Sequence, residues 1–174
     1  MIHLKKSRAT ATFFAACVMS FCSSAQAIDG ITSLPRPEEV KFASIGFYGL
    51  HIDTYAPVSQ AQIFRSGCNY VTEIGSKENL ELIRILEDGV TFSDKGAHRF
   101  RLRTVINLHL QDRSVFTMLI SDAGNKTPGV FGTVDNERQD AQGFLLSDLE
   151  MLKTLRTWAS KNLQPRELNN HCQI

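Results

Sequence analysis

The sequence predicts a single α+β domain with a mainly antiparallel sheet of about five strands and three helices, in the order β-α-β-α-β-β-β-α. Three observations support this fold class. The middle of the chain carries a long hairpin pattern, helix-capping motifs lie on either side of it, and turn-forming segments separate the elements.

The hairpin pattern begins at His98. Apolar residues occupy every second position, broken only by Thr104: Phe100, Leu102, Ile106, Leu108 and Leu110. The alternate positions are mostly cationic or polar: Arg99, Arg101, Arg103, Asn107 and His109. Because successive side chains of a strand point to opposite faces, one face is predicted to be buried and the other solvated. Gln111–Ser114 then reverses the chain into Val115–Ile120, which is apolar on both faces and is predicted to be central.

The first strand is predicted over Val40–Ile52, which is rich in aromatic and β-branched residues. Gly46 lies inside this run and indicates a bulge or a bend. Ser59 and Gln62 have the S-x-x-Q spacing of a capping box and predict the start of a short helix. Gly67 is expected to end that helix in a left-handed conformation.

A second strand is predicted over Asn69–Ile74, and a second helix follows it. Ser76 is placed to cap this helix, which covers Lys77–Asp88 and has its leucines on one side and its charges on the other. Gly89 is expected to end it. Ser93–Ala97 is predicted to be a polar connection to the hairpin.

Turn-forming residues fill Asp122–Gly129, which is predicted to be a loop. Val130–Val134 is predicted to be the fifth strand, and Asp135–Gln142 a second hydrophilic loop. Ser147 and Glu150 then match a capping box and predict the start of the final helix.

The first 27 residues have the features of a signal peptide. Three cations precede an apolar run over Ala9–Cys22, and the small-x-small sequence at 25–27 suits a signal peptidase. We expect cleavage after Ala27, a flexible arm over 28–39, a single domain over 40–174, and a periplasmic or secreted protein. A bacterial lipoprotein anchored through Cys17 is the alternative, since Phe14-Ala15-Ala16 precedes that cysteine.

Removal of this leader changes the charge of the chain. It contains three of the 19 Lys and Arg residues and none of the 18 Asp and Glu residues, so residues 28–174 carry a net charge of −2. A nucleic-acid-binding domain is usually strongly basic, so that class is disfavoured. The apolar run is shorter than the ~20 residues that span a bilayer, and no stable membrane insertion is expected once it is removed.

Two cysteines, Cys68 and Cys172, remain after the leader. In an oxidising compartment we expect them to form a disulfide, which would tie the C-terminal tail to the end of the first helix. The alternative is a reactive thiol with a histidine as base, which would require one cysteine to stay reduced.

Two surfaces are candidates for binding. One is the polar side of the hairpin, with Arg99, Arg101, Arg103 and His109, because arginine makes paired bonds to carboxylates and phosphates. The other comprises the two loops, through Asn125, Lys126, Asp135 and Asn136, since polar loops on a rigid scaffold often carry recognition. The alternative for the arginines is a solvated sheet face. The alternative for the loops is that they are only mobile.

Motifs for catalysis are not recognisable in the sequence. It contains no H-E-x-x-H, G-x-S-x-G or G-x-x-x-x-G-K-[ST], and we expect neither a metal nor a cofactor. His51 and Asp53 lie two residues apart and would share a face of a strand, so they are the most plausible position for an acid–base pair.

These observations together favour an exported, non-catalytic binding protein. Its most specific form is a periplasmic inhibitor or immunity-type protein that blocks a toxin or a lytic enzyme of the envelope, with that protein as its partner. Two alternatives stay open: a small secreted enzyme with its active site near His51 and Asp53, and a small-ligand carrier with a pocket between the sheet and the helices.

Overall fold

The computed structural model describes residues 31–49, 57–93, 96, 100–121 and 130–166. These residues form an α+β fold with one antiparallel sheet of seven strands and three α-helices. The strands are β1 (Val40–Phe47), β2 (Cys68–Val71), β3 (Val90–Ser93), β4 (Leu102–Leu110), β5 (Val115–Ser121), β6 (Val130–Asn136) and β7 (Ala141–Ser147). The helices are α1 (Gln60–Ser66), α2 (Lys77–Gly89) and α3 (Leu149–Asn162), and a 3₁₀ turn over Pro37–Glu39 precedes β1. The predicted class is confirmed, with seven strands in place of about five.

The strand order is β2-β1-β4-β5-β6-β7-β3. The strand predicted to be central, β5, lies in the middle of the sheet. Two strands were missing from the prediction, β3 and β7, and they pair with each other at one edge. Each is hard to recognise because β3 has only four residues and β7 contains Gly143, which has a low strand propensity.

The prediction of a loop over Asp135–Gln142 was wrong, because these residues form the end of a hairpin. Asp135 pairs with Gln142 and Asn136 pairs with Ala141, which leaves a four-residue turn over 137–140. The side chain of Asn136 accepts a hydrogen bond from the backbone N–H of Arg138 at 3.1 Å, and Asp140 has a φ of 48°. Asparagine and aspartate favour such turns, so the polar residues taken for a loop stabilise a reversal.

Helix capping agrees with the sequence at α1 and differs at α3. The side chain of Ser59 accepts from the backbone N–H of Gln62, and the side chain of Gln62 accepts from the backbone N–H of Ser59. At α3 the cap is Asp148, whose carboxylate accepts from the Met151 N–H at 2.7 Å. Ser147 is the last residue of β7, and its hydroxyl donates to the carbonyl oxygen of Gly89 at 2.6 Å. Ser76 is the N-cap of α2 without a side-chain bond to the helix.

The main hydrophobic core lies between the sheet and the pair of helices α2 and α3. Its fully buried members include Ile45, Ile106, Met118, Leu82 and Leu155. A smaller cluster lies on the opposite face of the sheet, beneath α1, and contains Val58, Ile63, Leu102 and Val105. The sheet therefore has helices on both faces, but α1 has only seven residues and covers a small part of its side.

Gly46 of β1 and Gly67 after α1 both allow α1 to pack closely on β1. Gly67 has a φ of −93°, so the predicted left-handed conformation was wrong. A Cβ at Gly67 would lie 2.6 Å from the carbonyl oxygen of Ile63 and would also overlap that of Phe47. Gly46 pairs regularly with its neighbours, and its missing side chain leaves room for Ile63 of α1. The irregularity in β1 lies between Val40 and Phe42 instead.

The described ends of the chain pack on the sheet. Within the predicted arm, Ile31 is 5% exposed and belongs to the main core. After α3, the backbone N–H of Arg166 donates to the carbonyl oxygen of Asn69, one residue from the buried Cys68. Cys172 lies outside the described residues, so the Cys68–Cys172 disulfide stays a prediction. No helix within the described ranges is long and apolar enough to cross a membrane.

Substitution of Gly67 by alanine tests the close approach of α1 to β1. We expect Gly67→Ala to lower the free energy of unfolding by about 1–3 kcal/mol, because the new methyl group would overlap two backbone carbonyl oxygens. Gly143→Ala is the control: its Cβ would lie 3.4 Å or more from its neighbours, and a change within about 0.5 kcal/mol is expected. Urea denaturation of both variants measures the difference, and equal stabilities would contradict the packing described here.

Candidate functional site

The predicted arginine strip does not form along β4. The pairing of β4 with β5 shifts between Leu102 and Thr104, which places Leu102 on the same face as Val105. Arg103 lies at this irregularity and is 1% exposed. One of its terminal nitrogens donates to the carbonyl oxygen of Leu102, and its guanidinium lies 5.5 Å from the centre of the Tyr48 ring. Arg103 is therefore a buried residue of the fold and was wrongly assigned to a solvated strip.

The other predicted binding residues have different positions. Arg101 and Asp135 are exposed, and Asn136 is 8% exposed and bonded within its turn. Arg99, Asn125 and Lys126 lie outside the described residues, as do His51 and Asp53 of the alternative acid–base pair. Among the predicted binding residues that the structure describes, His109 lines a groove.

A second buried arginine, Arg156 of α3, was missed by the sequence analysis. Its guanidinium donates to the carbonyl oxygen of Tyr48 at 3.0 Å and lies 4.8 Å from the centre of the Phe47 ring. Burial lowers the pKa of Arg156 to about 10; Tyr70 partly opposes this effect, and the nearby Arg103 adds to it. The available signal was its position between Leu152 and Ala159 on the apolar face of α3. These contacts join α3 to the end of β1.

The face of the sheet that carries α1 has a continuous row of polar side chains. Directly paired residues of five neighbouring strands form this polar row: Ser44 of β1, Asn107 of β4, Thr117 of β5, Asp135 of β6 and Gln142 of β7. Residues opposite each other in antiparallel strands share a face. All five are partly or fully exposed. The hairpin pattern predicted a polar face here, and Asn107 and His109 do lie on it.

A groove with a volume of about 900 Å³ lies at one end of this face. Its floor comprises Ser44, Asn107, Phe42 and His109 from the paired strands β1 and β4. Phe64 of α1 forms one wall. The segment Gln164–Arg166 forms another, held along β2 by the bridge between Pro165 and Tyr70.

His109 is fixed from two sides. Its ring stacks on Phe42, with 4.2 Å between the ring centres and 12° between the planes. Its Nε2 atom lies 3.0 Å from the Ser44 hydroxyl oxygen. Burial lowers the pKa of His109 below its usual 6.5, and the nearby Glu137 carboxylate partly opposes this. The imidazole is therefore mainly neutral near pH 7.

Asn107 is held so that its amide nitrogen stays available. Its side-chain oxygen accepts from the amide nitrogen of Gln60 at 3.3 Å and from the Thr117 hydroxyl at 3.1 Å. Its Nδ2 has no hydrogen-bond partner among the described residues. Two N–H groups on the groove floor can therefore bind an acceptor.

Asn69 lies at the inner end of the groove, beneath α1. Its side-chain nitrogen donates to the carbonyl oxygen of Phe64 at 2.6 Å, and its buried side-chain oxygen has no hydrogen-bond partner in the part of the chain that the structure describes. No motif in the sequence marks this residue or Ser44. Both come into the groove through pairing between distant parts of the chain, which no local pattern reveals.

Within the described ranges, no group of three or more His, Cys, Asp or Glu residues could hold a metal ion. Comparison with protein-family models, with curated proteins and with solved structures finds no match for this chain.

The lowered pKa of His109 predicts a pH dependence of stability. A histidine whose folded pKa lies below its unfolded value contributes stability above the unfolded pKa, here near 6.5, and this is lost as the pH falls towards the folded pKa. His109→Gln should therefore lose less stability than the unsubstituted protein between pH 7.5 and pH 5. Urea denaturation at both pH values measures this. A variant with an unchanged pH dependence would show that His109 is not the titrating group.

Proposed function

We propose that this chain is an exported, non-catalytic binding protein and that the groove floored by β1 and β4 is its binding site. The observation that carries the proposal is Asn107, a groove residue whose oxygen is held by two donors while its Nδ2 has no hydrogen-bond partner among the described residues. A polar group that the fold orients but does not use is ready for a ligand.

The rigidity of the floor supports the same proposal. Ser44, His109 and Phe42 are fixed by strand pairing, by a hydrogen bond and by ring stacking. Side chains that are already ordered lose little conformational entropy when a ligand arrives, which favours affinity. The groove also has the size of small-ligand sites, which are on the order of 300–1,000 Å³.

The narrower hypothesis of an inhibitor or immunity-type protein would place an envelope toxin or lytic enzyme on this face. A projecting side chain of such a partner would enter the groove, and the polar row beyond it would form the rim of the interface.

Filling the groove tests the binding site. We expect Ser44→Trp to weaken binding of any genuine ligand about tenfold or more, since the indole would occupy the groove. The control is Thr157→Trp, on the exposed side of α3. Hydrogen exchange is measured for the unsubstituted protein and both variants, with and without an envelope extract. Protection of β1 and β4 amides should occur with the unsubstituted protein and Thr157→Trp only.

Two results would contradict the proposed site. The first is an extract that protects no amide in the protein. The second is protection of amides that Ser44→Trp leaves unchanged.

One observation favours the alternative of an enzyme: the Ser44 hydroxyl lies 3.0 Å from His109 Nε2, within reach for a serine nucleophile and its base. Two features oppose it. Ser44 lies inside β1 between two paired strands, so backbone N–H groups are not free to bind an oxyanion. No described carboxylate is bonded to the His109 ring to orient it.

Reaction with a fluorophosphonate distinguishes the two functions. The binding proposal expects no labelling of Ser44, as read by intact-protein mass spectrometry beside a known serine hydrolase as positive control. Labelling that Ser44→Ala and His109→Gln both abolish would establish a reactive serine and replace the binding proposal with an enzyme.

A further inference from the structure

The chemistry of the groove and of the polar row identifies a class of ligand. We propose that the site binds a neutral oligosaccharide that lies across the strands, with one end in the groove. This deepens the proposed function and rests on it, since it names what the same site takes.

The first support is the mixture of donors and acceptors on the floor. Asn107 offers two N–H groups, and the Ser44 hydroxyl can accept as well as donate. Thr117, which pairs with Asn107 in the polar row beside the groove, adds a second hydroxyl. A ligand for this floor has to supply acceptors and donors at closely spaced points. Hydroxyl groups do both, and a sugar carries several of them on one rigid ring.

The second support is the length of the polar row. Five polar side chains follow one another on five neighbouring strands. Strands lie about 4.8 Å apart, so the row extends over roughly 19 Å. A single small molecule would use one end of it, whereas a chain of several sugar units would contact most of it.

The third support is the apolar surface at the groove. Phe42, in its stack with His109, and Phe64 on the wall lie beside the polar floor. A sugar ring has apolar C–H faces between its hydroxyl groups, so it can pack on aromatic rings while its edge reaches the polar groups.

The charged residues at the groove and at the far end of the polar row favour a neutral ligand. Arg166 is exposed at the groove wall, and Asp135 is exposed towards the far end of the row. With the Glu137 carboxylate near His109, the charged groups named at this site in the described part of the chain are one cation and two anions. They give no excess of positive charge to attract a polyanion, and a nucleic acid would need a strongly basic surface. A polar floor also disfavours a lipid chain, which would bury these groups without hydrogen bonds.

An extended peptide fits the site less well. A common way for an extended peptide to bind is to add its backbone to a free sheet edge. The groove lies on a face, and the neighbouring edge of β2 already pairs with Pro165 and Arg166 of the same chain.

The experiment is a glycan array probed with the full-length mature protein, followed by titration calorimetry with the strongest glycan. We expect neutral oligosaccharides of three or more units to bind, with affinity unchanged between 0.05 M and 0.5 M NaCl, since few charges take part. Asn107→Leu and Ser44→Val should each weaken binding about threefold to tenfold, because each removes hydrogen bonds to an uncharged ligand. Thr157→Leu, on the exposed side of α3, is the matched control and should bind as the unsubstituted protein does.

Three results would overturn the proposal: no glycan bound above the Asn107→Leu background, binding of polyanionic glycans alone, or binding that both floor variants retain in full. These outcomes are separate from failure of the proposed function. If the envelope extract still protects β1 and β4 while the array is negative, the site stands and the ligand class is wrong. If neither experiment detects binding, the site itself is wrong.

Discussion

Unequal cover on the two faces of one sheet determines the architecture of this protein. Helices α2 and α3 bury one face along most of its width, and the main core lies there. Of the helices in the described ranges, the seven-residue α1 alone lies on the opposite face, where it helps to bury a small cluster. An antiparallel sheet tolerates this because one of its faces can be solvated. The uncovered part of that face is where the polar row and the groove lie, so the position of the site follows from the shortness of one helix.

Local patterns predicted the elements whose signal is contained within them. Alternation over residues 106–110 of β4, the apolar run of β5 and the capping box at Ser59 each needed only neighbouring residues, and the structure agrees with them. The elements that were not predicted depend on partners far away in the sequence. Strand β3 forms because β7 lies beside it, and the turn after Asn136 forms because β6 and β7 pair. Propensity alone cannot detect such strands, since tertiary pairing outweighs it.

The residues of the candidate site could likewise be predicted only where neighbouring residues determine their position. Period-two alternation correctly placed Asn107 and His109 on one face. It failed at Arg103, because a single shift in pairing between Leu102 and Thr104 breaks the alternation. Ser44 and Phe42 could not be foreseen as partners of β4, since 65 residues separate Ser44 from His109. A groove made by two distant strands, a helix and a tail has no signature in any one segment.

The segment that follows α3 has a role at the margin of the sheet as well as in the groove. By lying along β2 through Pro165 and Arg166, it occupies backbone groups that a bare outer strand would offer to another molecule. Proline is well suited there because it has no N–H to donate onward. Proteolytic loss of this short segment would open the groove on one side and expose a template for self-association. The same three residues therefore line the proposed binding groove and lie along the outer strand of the sheet.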